Sequence, residues 1–289
     1  YGVVLAGYGS NNKYSLLGGL RASAQLISYE LAMGVSLAAI VLSSGSLKMT
    51  EMVNVQMEPL WGAVPALQNW FIFTPFGFVS AVIFAVCAVA ETNRAPFDLP
   101  EAENELIAGY HTEYSSMKFA VFFMGEYATM LLFGGVFGVV FLGGYNILPV
   151  NWDVLGQTVP ALAGVTALMA KVNVLGAPLW FLGKCAAGIT SFIWLRATLP
   201  RLRYDQLMRL GWTSLLPMAV ANFVVVALWI TATAVYGPVG GWIAAGAAFL
   251  VVALGYTVIR KATAGPTDQA RTISLGDGVG TELREVVGQ

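Results

Sequence analysis

Apolar residues in this chain fall in long runs that are separated by more polar segments. Six runs are each about twenty residues long: 24–43, 69–91, 117–142, 178–198, 214–236 and 240–259. A helix needs about twenty apolar residues to cross roughly 30 Å of hydrocarbon, so each run predicts a membrane-spanning helix. Residues 1–9 have the character of the end of a further hydrophobic helix, and we expect the chain to be an N-terminally incomplete part of a longer protein. The predicted fold class is an all-α integral membrane protein, with six complete transmembrane helices plus the end of one more.

The charge of the connecting segments predicts the orientation, because Lys and Arg are retained on the cytoplasmic side. Six alternating crossings place 10–23, 92–116, 199–213 and the tail on one side, which carries most of the 15 basic residues. The opposite side carries only Lys48 and Lys171. We therefore expect a multi-pass protein of the inner (plasma) membrane with a cytoplasmic loop and tail.

The apolar stretch 159–177 would place the basic segment 199–213 on the wrong side if it crossed the membrane. We predict that it is an interfacial or re-entrant piece on the outer face. The predicted organisation is a membrane domain over 1–259 and a flexible cytoplasmic tail over 260–289, which is rich in Gly and Thr.

Composition narrows the function. Charged residues make up 11% of the chain, against about 25% in soluble domains, which excludes a water-soluble enzyme. A net charge of −1 gives no support for nucleic acid as a partner. Cys87 and Cys185 lie inside apolar runs, and the sequence has no Cys/His cluster for zinc or an iron–sulfur cluster. It also has no glycine-rich phosphate-binding motif. We expect no metal, no redox centre and no cofactor bound by this chain.

The loop 92–116 is unusual because it is acidic where a cytoplasmic loop is normally basic. Residues 91–126 hold seven of the 16 acids: Glu91, Asp98, Glu101, Glu103, Glu105, Glu113 and Glu126. A structural explanation exists for part of this set. Asp98 and Glu101 suit the N-cap and N3 positions of a helix that has Pro100 in its first turn. That explanation does not reach the acids inside the apolar runs.

Three glutamates lie in or at the end of predicted spans. Glu30 is the seventh residue of its run, Glu126 is the tenth of its run, and Glu91 closes the run before the acidic loop. A charged acid at the bilayer centre costs about 2.5–3.5 kcal/mol. One such residue is explained by a neutral, hydrogen-bonded helix contact, but three acids near one acidic loop favour a path for protons.

Other polar residues have two interpretations each. His111, the only histidine, either donates to a ligand or bonds the loop backbone. Arg94 either pairs with Glu91 or holds the acidic loop together, and Lys184 either pairs with a glutamate or extends toward the membrane surface. The glycine pairs Gly134-x-x-x-Gly138 and Gly237-x-x-x-Gly241 predict helix packing.

Three stretches carry a resemblance to a known family: 10–30 (S-N-N-K-Y-S-L-L-G-G-L-R-A-S-A-Q-L-I-S-Y-E), 91–119 (E-T-N-R-A-P-F-D-L-P-E-A-E-N-E-L-I-A-G-Y-H-T-E-Y-S-S-M-K-F) and 194–212 (W-L-R-A-T-L-P-R-L-R-Y-D-Q-L-M-R-L-G-W). They resemble the quinone-chamber membrane subunits of respiratory complex I, which are the H-type subunit of bacterial NADH-quinone oxidoreductase and NADH dehydrogenase subunit 1 of mitochondria. The resemblance covers about residues 1–235.

The resemblance implies roles for the acidic loop and the glutamates. Loop 92–116 would line the quinone chamber, with the residues Arg94, Asp98, Glu101, Glu103, Glu105 and His111 along it. The family's charged passage from the chamber into the membrane would run through Glu30, Glu91, Glu113 and Glu126. Quinone would be the substrate, and NADH, FMN and iron–sulfur clusters would belong to partner subunits. The implied partners are the peripheral-arm subunits at the quinone site and the small membrane subunits that lead to antiporter-like subunits, with membrane lipid around them.

Two alternatives remain open. The first is the equivalent membrane subunit of a hydrogenase or of a ferredoxin- or deazaflavin-linked complex, which oxidises no NADH. The second is a secondary transporter, against which the sequence shows no inverted repeat and no paired broken helices.

Overall fold

The chain is helical through nearly all of its described length. The computed structural model describes residues 2–60, 64–94, 96–98, 109–159, 163–200 and 202–263. The helices are α1 (Gly2–Gly9), α2 (Lys13–Ser44), α3 (Met49–Gln56), α4 (Pro75–Glu91), α5 (Ser116–Phe141), α6 (Trp152–Thr158), α7 (Ala163–Leu175), α8 (Ala177–Thr198), α9 (Tyr204–Arg209) and α10 (Leu216–Thr263). A π-helical segment, Leu210–Leu215, joins α9 to α10. A small antiparallel hairpin, β1 (Pro59–Leu60) and β2 (Val64–Gln68), follows α3. The all-α expectation agrees with this architecture.

Four helices in the described part of the chain are long and apolar enough to cross a membrane: Lys13–Ser44, Ser116–Phe141, Ala177–Thr198 and Tyr204–Gly237. Of the other two predicted runs, 69–91 forms the shorter apolar helix Pro75–Glu91, and 240–259 lies within α10, which continues to Thr263. The run 69–91 is shortened because Phe71–Phe73 form a 3₁₀ turn and the Thr74 hydroxyl accepts a hydrogen bond from the Gly77 amide. Helix α4 therefore has 17 residues, about 26 Å of rise.

Helix α2 begins earlier than its apolar run predicts. Its N-cap is Asn12, whose side chain accepts a hydrogen bond from the Tyr14 amide, so the polar stretch 13–23 is helical as well. The helix ends at Gly45, which has a φ of 70° and donates its amide to the Val41 carbonyl. Capping satisfies backbone groups that a helix end leaves unpaired. Helix α2 is therefore long enough to carry both Asn12 and Glu30.

The chain divides after Ile230 into two compact units. In the second unit, helix α10 has one non-helical residue, Gly237, with φ 77° and ψ −178°. This residue lies between the predicted runs 214–236 and 240–259. A Cβ atom on Gly237 would meet no heavy atom within 4 Å among the described residues. The predicted packing role is therefore wrong for Gly237, which supplies backbone freedom instead.

Helices α2, α4 and α5 form the core of the first unit. The buried residues include Tyr29 and Ile40 of α2, Phe84 of α4 and Phe141 of α5. Helix α5 packs antiparallel on α8 through glycine, since a Cβ on Gly188 would lie 2.9 Å from the Gly134 Cα. The predicted packing role of Gly134 is confirmed. These contacts hold the helices that carry Glu30, Glu91 and Glu126.

Among the described residues, Lys184 binds backbone carbonyls and does not pair with a glutamate. Its ammonium group donates to the carbonyls of Leu142, Gly144 (2.9 Å) and Asn146 (2.6 Å) just beyond the end of α5, and it lies 4.5 Å from the Trp70 ring centroid. A helix end leaves carbonyls unpaired and carries partial negative charge. Lys184 therefore stabilises the end of α5 that is remote from the acidic loop.

Candidate functional site

The candidate site lies where the end of α4 meets α2 and the first half of α5. The buried side chain of Gln25 on α2 donates to the carbonyls of Ala90 and Phe97, both at 3.0 Å. These two bonds hold the first part of the acidic loop against α2. The Pro96 carbonyl also accepts a 3.0 Å hydrogen bond from the Leu202 amide. Residues 92–94 and 96–98 are thus fixed on two sides.

A second set of contacts attaches the basic segment around α9 to the same place. The Tyr29 hydroxyl donates to the Leu207 carbonyl at 2.9 Å, and the Tyr29 and Phe97 rings are 5.7 Å apart. The Arg21 guanidinium lies 4.7 Å from the Tyr204 ring centroid. The acidic and basic loops are therefore joined through α2, which explains why charges of both signs gather here.

Glu91 and Glu30 form one pair of neighbouring carboxyl groups. Glu91 is partly buried, and its Oε2 atom is buried without a hydrogen-bond partner among the described residues. Glu30 is close enough to repel it electrostatically. Glu30 itself is exposed, at the rim of an open groove along α2 that is lined by Ile27, Leu31, Gly34 and Val35. Two acids of neighbouring helices thus interact electrostatically, one at the surface and one inside.

Arg94 and Glu126 form a second, more buried pair. The Nη2 atom of Arg94 lies 3.4 Å from Oε2 of Glu126, and the two side chains are 8% and 12% exposed. The guanidinium also lies 5.0 Å from the Tyr127 ring centroid and 6.0 Å from that of Phe123. Within the described part of the chain, Arg94 forms its ion pair with Glu126, so the predicted Arg94–Glu91 pair is not the one formed.

His111 lies in an aromatic cage at the end of the loop. Its ring centroid is 3.8 Å from that of Tyr110, and Phe119, Phe122 and Phe123 surround it at 5.0–6.4 Å. The residue is 3% exposed, and its Nε2 atom has no hydrogen-bond partner among the described residues. Burial lowers the pKa of His111 from its ordinary 6.5 to about 4. The imidazole is therefore neutral near pH 7.

The pKa of His111 predicts a pH dependence of stability. Because this pKa is lower in the folded protein than in an unfolded chain, the contribution of His111 is complete above about pH 6.5 and is lost as the pH falls toward 4. We expect the Tm of the protein in detergent to fall over this range relative to the Tm of a His111→Phe variant, which keeps an aromatic ring in the cage. Parallel Tm curves for the two proteins would contradict the assignment.

Glu113 lies apart from the other three glutamates. Its Oε1 atom accepts a 2.8 Å hydrogen bond from Asn12, at the start of α2. Asn12 is 18 positions before Glu30, which is about 27 Å along a helix. The segment 109–114 is fixed there by Tyr110, whose carbonyl accepts from Ser15 at 3.1 Å, and by the close approach of Gly18 to Gly109. A path through all four glutamates would have to run along α2.

The remaining predicted residues are placed only in part. Asp98, which follows Phe97, is partly buried and makes a non-covalent interaction with another residue. Glu101, Glu103 and Glu105 lie outside the described residues, as does the helix start predicted after Asp98. Within the described ranges, no group of three or more His, Cys, Asp and Glu side chains is arranged to hold a metal ion. The site offers carboxyl groups, which can hold and exchange protons, and the guanidinium of Arg94, which supplies a positive charge.

Two polar residues of the membrane interior were not predicted from the sequence. The first is Gln25, which donates to the carbonyls of Ala90 and Phe97. Asn222 of α10 is 6% exposed and donates to the Phe76 carbonyl at 3.0 Å and to the Ser80 hydroxyl at 2.8 Å on α4. A lone amide inside an apolar run is the signal for both, because a buried amide needs hydrogen-bond partners.

Comparison with known proteins gives matches across this site. The NADH dehydrogenase family profile matches residues 1–227. The second H-type subunit of NADH-quinone oxidoreductase in Koribacter versatilis is 47% identical over 230 residues, which are 80% of this chain and 59% of the relative. NADH-quinone oxidoreductase subunit 8 of Rhodothermus marinus is 48% identical over 229 residues, 79% of this chain and 63% of the relative. The H-type subunit of Rhodospirillum rubrum is 42% identical over 238 residues, 81% of this chain and 59% of the relative. The chain thus spans about three-fifths of the length of these relatives.

Proposed function

The chain belongs to the NADH dehydrogenase family, and on that basis we propose that it is a membrane subunit of a proton-translocating NADH:quinone oxidoreductase, respiratory complex I. The observation that carries the proposal is the 42–48% identity to the three relatives above, each named a subunit of NADH-quinone oxidoreductase. The matched region 1–227 contains every candidate residue of the site. In this proposal, electrons reach quinone from FMN and iron–sulfur clusters in partner subunits.

We further propose that loop 92–116 lines the quinone chamber and faces the cytoplasm. Reduction of a quinone requires two electrons and two protons, so the charge beside the head group changes in each turnover. Helix α2 holds residues 92–94 and 96–98 through the two hydrogen bonds of Gln25. A change of charge near the loop would therefore act on Glu91 and Arg94, which begin this fixed segment. The tail 260–289 has no role in this proposal.

The proposed proton path runs first through the Glu30–Glu91 pair and then through the Arg94–Glu126 pair. Glu30 and Glu91 interact electrostatically, and three residues after Glu91 the guanidinium of Arg94 faces Glu126. A proton gained by Glu91 changes the electric field at its charged neighbours, and a change of their charge acts back on Glu91. Movement of Arg94 toward or away from Glu126 would change the charge balance inside the membrane, where Coulomb interactions are strong. Glu113 would take part only at the far end of α2.

Purification of the full-length protein from its own membranes tests the proposed function. An affinity tag should retrieve subunits that contain flavin and iron–sulfur clusters, and the purified complex should oxidise NADH with quinone as acceptor. Co-purification with iron–sulfur subunits but no oxidation of NADH would favour the hydrogenase or ferredoxin-linked alternative. A protein that is isolated alone and has no quinone reductase activity would favour a transporter.

A further inference from the structure

Helix α7, Ala163–Leu175, has its polar side turned inward. The residues that face the rest of the protein include Thr166, which is 4% exposed and lies against Gly156 of α6. Asn173 accepts a 3.0 Å hydrogen bond from the Ile147 amide and donates at 3.0 Å to Asn146. Thr166 and Asn173 are seven residues apart, so they lie on one face of the helix. This face is held by polar contacts.

The opposite side of α7 is an apolar stripe. Val165, Leu168, Val172 and Leu175 are 55%, 58%, 37% and 83% exposed. Their spacing of three, four and three residues places them on a single face. A helix that packs on a soluble protein has the reverse arrangement, with apolar residues inside. The stripe therefore requires an apolar environment outside this chain.

The length and position of α7 restrict what that environment is. The helix has 13 residues, about 20 Å of rise, which is too short to cross roughly 30 Å of hydrocarbon. Only Gly176 separates it from α8, a candidate membrane span whose first turns also expose Leu179 (70%) and Leu182 (58%). Because α5 and α8 are antiparallel, this end of α8 is remote from the acidic loop. The apolar stripe thus continues into the lipid-facing surface of α8.

Two polar groups favour lipid over a second protein as the occupant. Lys171 is exposed and lies beside the apolar stripe, one turn after Leu168. Lysine is depleted at the buried centre of protein interfaces, whereas at a membrane boundary its stem lies on apolar surface while the ammonium reaches phosphate groups. The Trp180 indole donates to the Val172 carbonyl at 3.4 Å, and tryptophan is enriched at the membrane–water boundary.

We infer that α7 is an interfacial helix that lies along the membrane boundary opposite the acidic loop, with its apolar stripe in lipid acyl chains and Lys171 at the phosphate groups. This inference does not depend on the proposed redox function. It requires only that α8 crosses the membrane. The helix would fix the α5–α8 connection at a set depth, close to the carbonyls that Lys184 caps.

Photo-crosslinking to lipid tests the inference on the full-length protein, together with the subunits that accompany it. The preparation is reconstituted into phosphatidylcholine vesicles that contain a phosphatidylcholine with a diazirine in its acyl chain, and adducts are mapped by mass spectrometry. We expect at least about fivefold more adducts on α7 than on α3, since an interfacial helix buries its apolar face about 5–10 Å into the boundary. Leu179 and Leu182 of α8 serve as the positive control. Adducts on α8 without adducts on α7 would overturn the inference, as would protein crosslinks that cover the stripe.

A matched pair of variants separates insertion from general reactivity. Leu168→Glu places a charge in the stripe and should lower the adducts at positions 165 and 172 at least about threefold, because an interfacial helix is held by its buried apolar area. Asn54→Glu, at an exposed position on α3, should leave them unchanged. An equal effect of the two variants would show that α7 does not depend on its apolar stripe and would contradict the inference.

Discussion

A Glu91→Gln variant is expected to lose proton translocation at least about tenfold, because a positioned acid–base group contributes on the order of 100-fold or more to proton transfer. Glutamine has nearly the same shape as glutamic acid but cannot carry the proton. The Oε2 atom of Glu91 accepts no hydrogen bond from the described residues, so the amide breaks none of the described hydrogen bonds at this atom. The loss should therefore appear in function and not in assembly.

Proton uptake into inverted membrane vesicles, driven by NADH and followed with a pH-sensitive dye, measures this effect. NADH oxidation with an artificial electron acceptor reports how much complex is assembled, and it should stay close to that of the unaltered protein. Glu58→Gln is the control, because Glu58 is exposed next to the β-hairpin. Normal pumping in both Glu91→Gln and Glu126→Gln would refute the glutamate path.

An Arg94→Met variant is expected to destabilise the protein by about 3–5 kcal/mol, because breaking a buried ion pair by removing one partner costs about this much. The side chains of Arg94 and Glu126 are 8% and 12% exposed. In the variant, water therefore replaces little of the interaction that Arg94 made with Glu126. The double variant Arg94→Met/Glu126→Gln should recover most of the loss, since replacing both members of a buried pair is often neutral. Double-mutant coupling of this kind identifies the pair directly.

Thermal unfolding in detergent, monitored by intrinsic fluorescence, measures these differences as shifts in Tm. The matched control is Lys48→Met, which removes an ion pair of 3.0 Å with Glu51 whose side chains are 75% and 45% exposed. An exposed pair contributes about 0–1 kcal/mol, so this Tm should hardly change although the distance is shorter. Equal Tm shifts for Arg94→Met and Lys48→Met would mean that the buried ion pair stabilises the protein no more than the exposed one.

The spans and the acids were predictable because both leave a local record in the chain. A run such as 117–142 predicts a helix by length and hydropathy alone, and α5 covers nearly the same residues. Glu30, Glu91 and Glu126 were recognisable because an acid in an apolar run is costly whatever surrounds it. The start of α4 was not predictable from hydropathy, because Thr74 and the preceding turn decide it and the sequence is apolar on both sides of Thr74.

The fold, and not the local sequence, decides which charged residues pair. Arg94 lies three residues from Glu91 and 32 from Glu126, and sequence distance favours the nearer acid. The fold brings the start of α5 over the end of α4, so the guanidinium faces Glu126 and the aromatic rings of α5. In the same way, Lys184 donates to three carbonyls at the end of α5. The sequence suggested instead that it pairs with a glutamate or extends toward the membrane surface.

The amino-acid order by itself determined that this is a helical membrane protein with acids kept inside apolar segments, because solvation acts on each residue separately and a short window of sequence records it. The tertiary structure alone decided which acid meets which base, that Glu30 is exposed while Glu126 is enclosed, and that α7 presents its apolar side outward. Such relations arise between residues far apart in the chain, and they depend on helix crossings and side-chain directions that hydropathy does not encode.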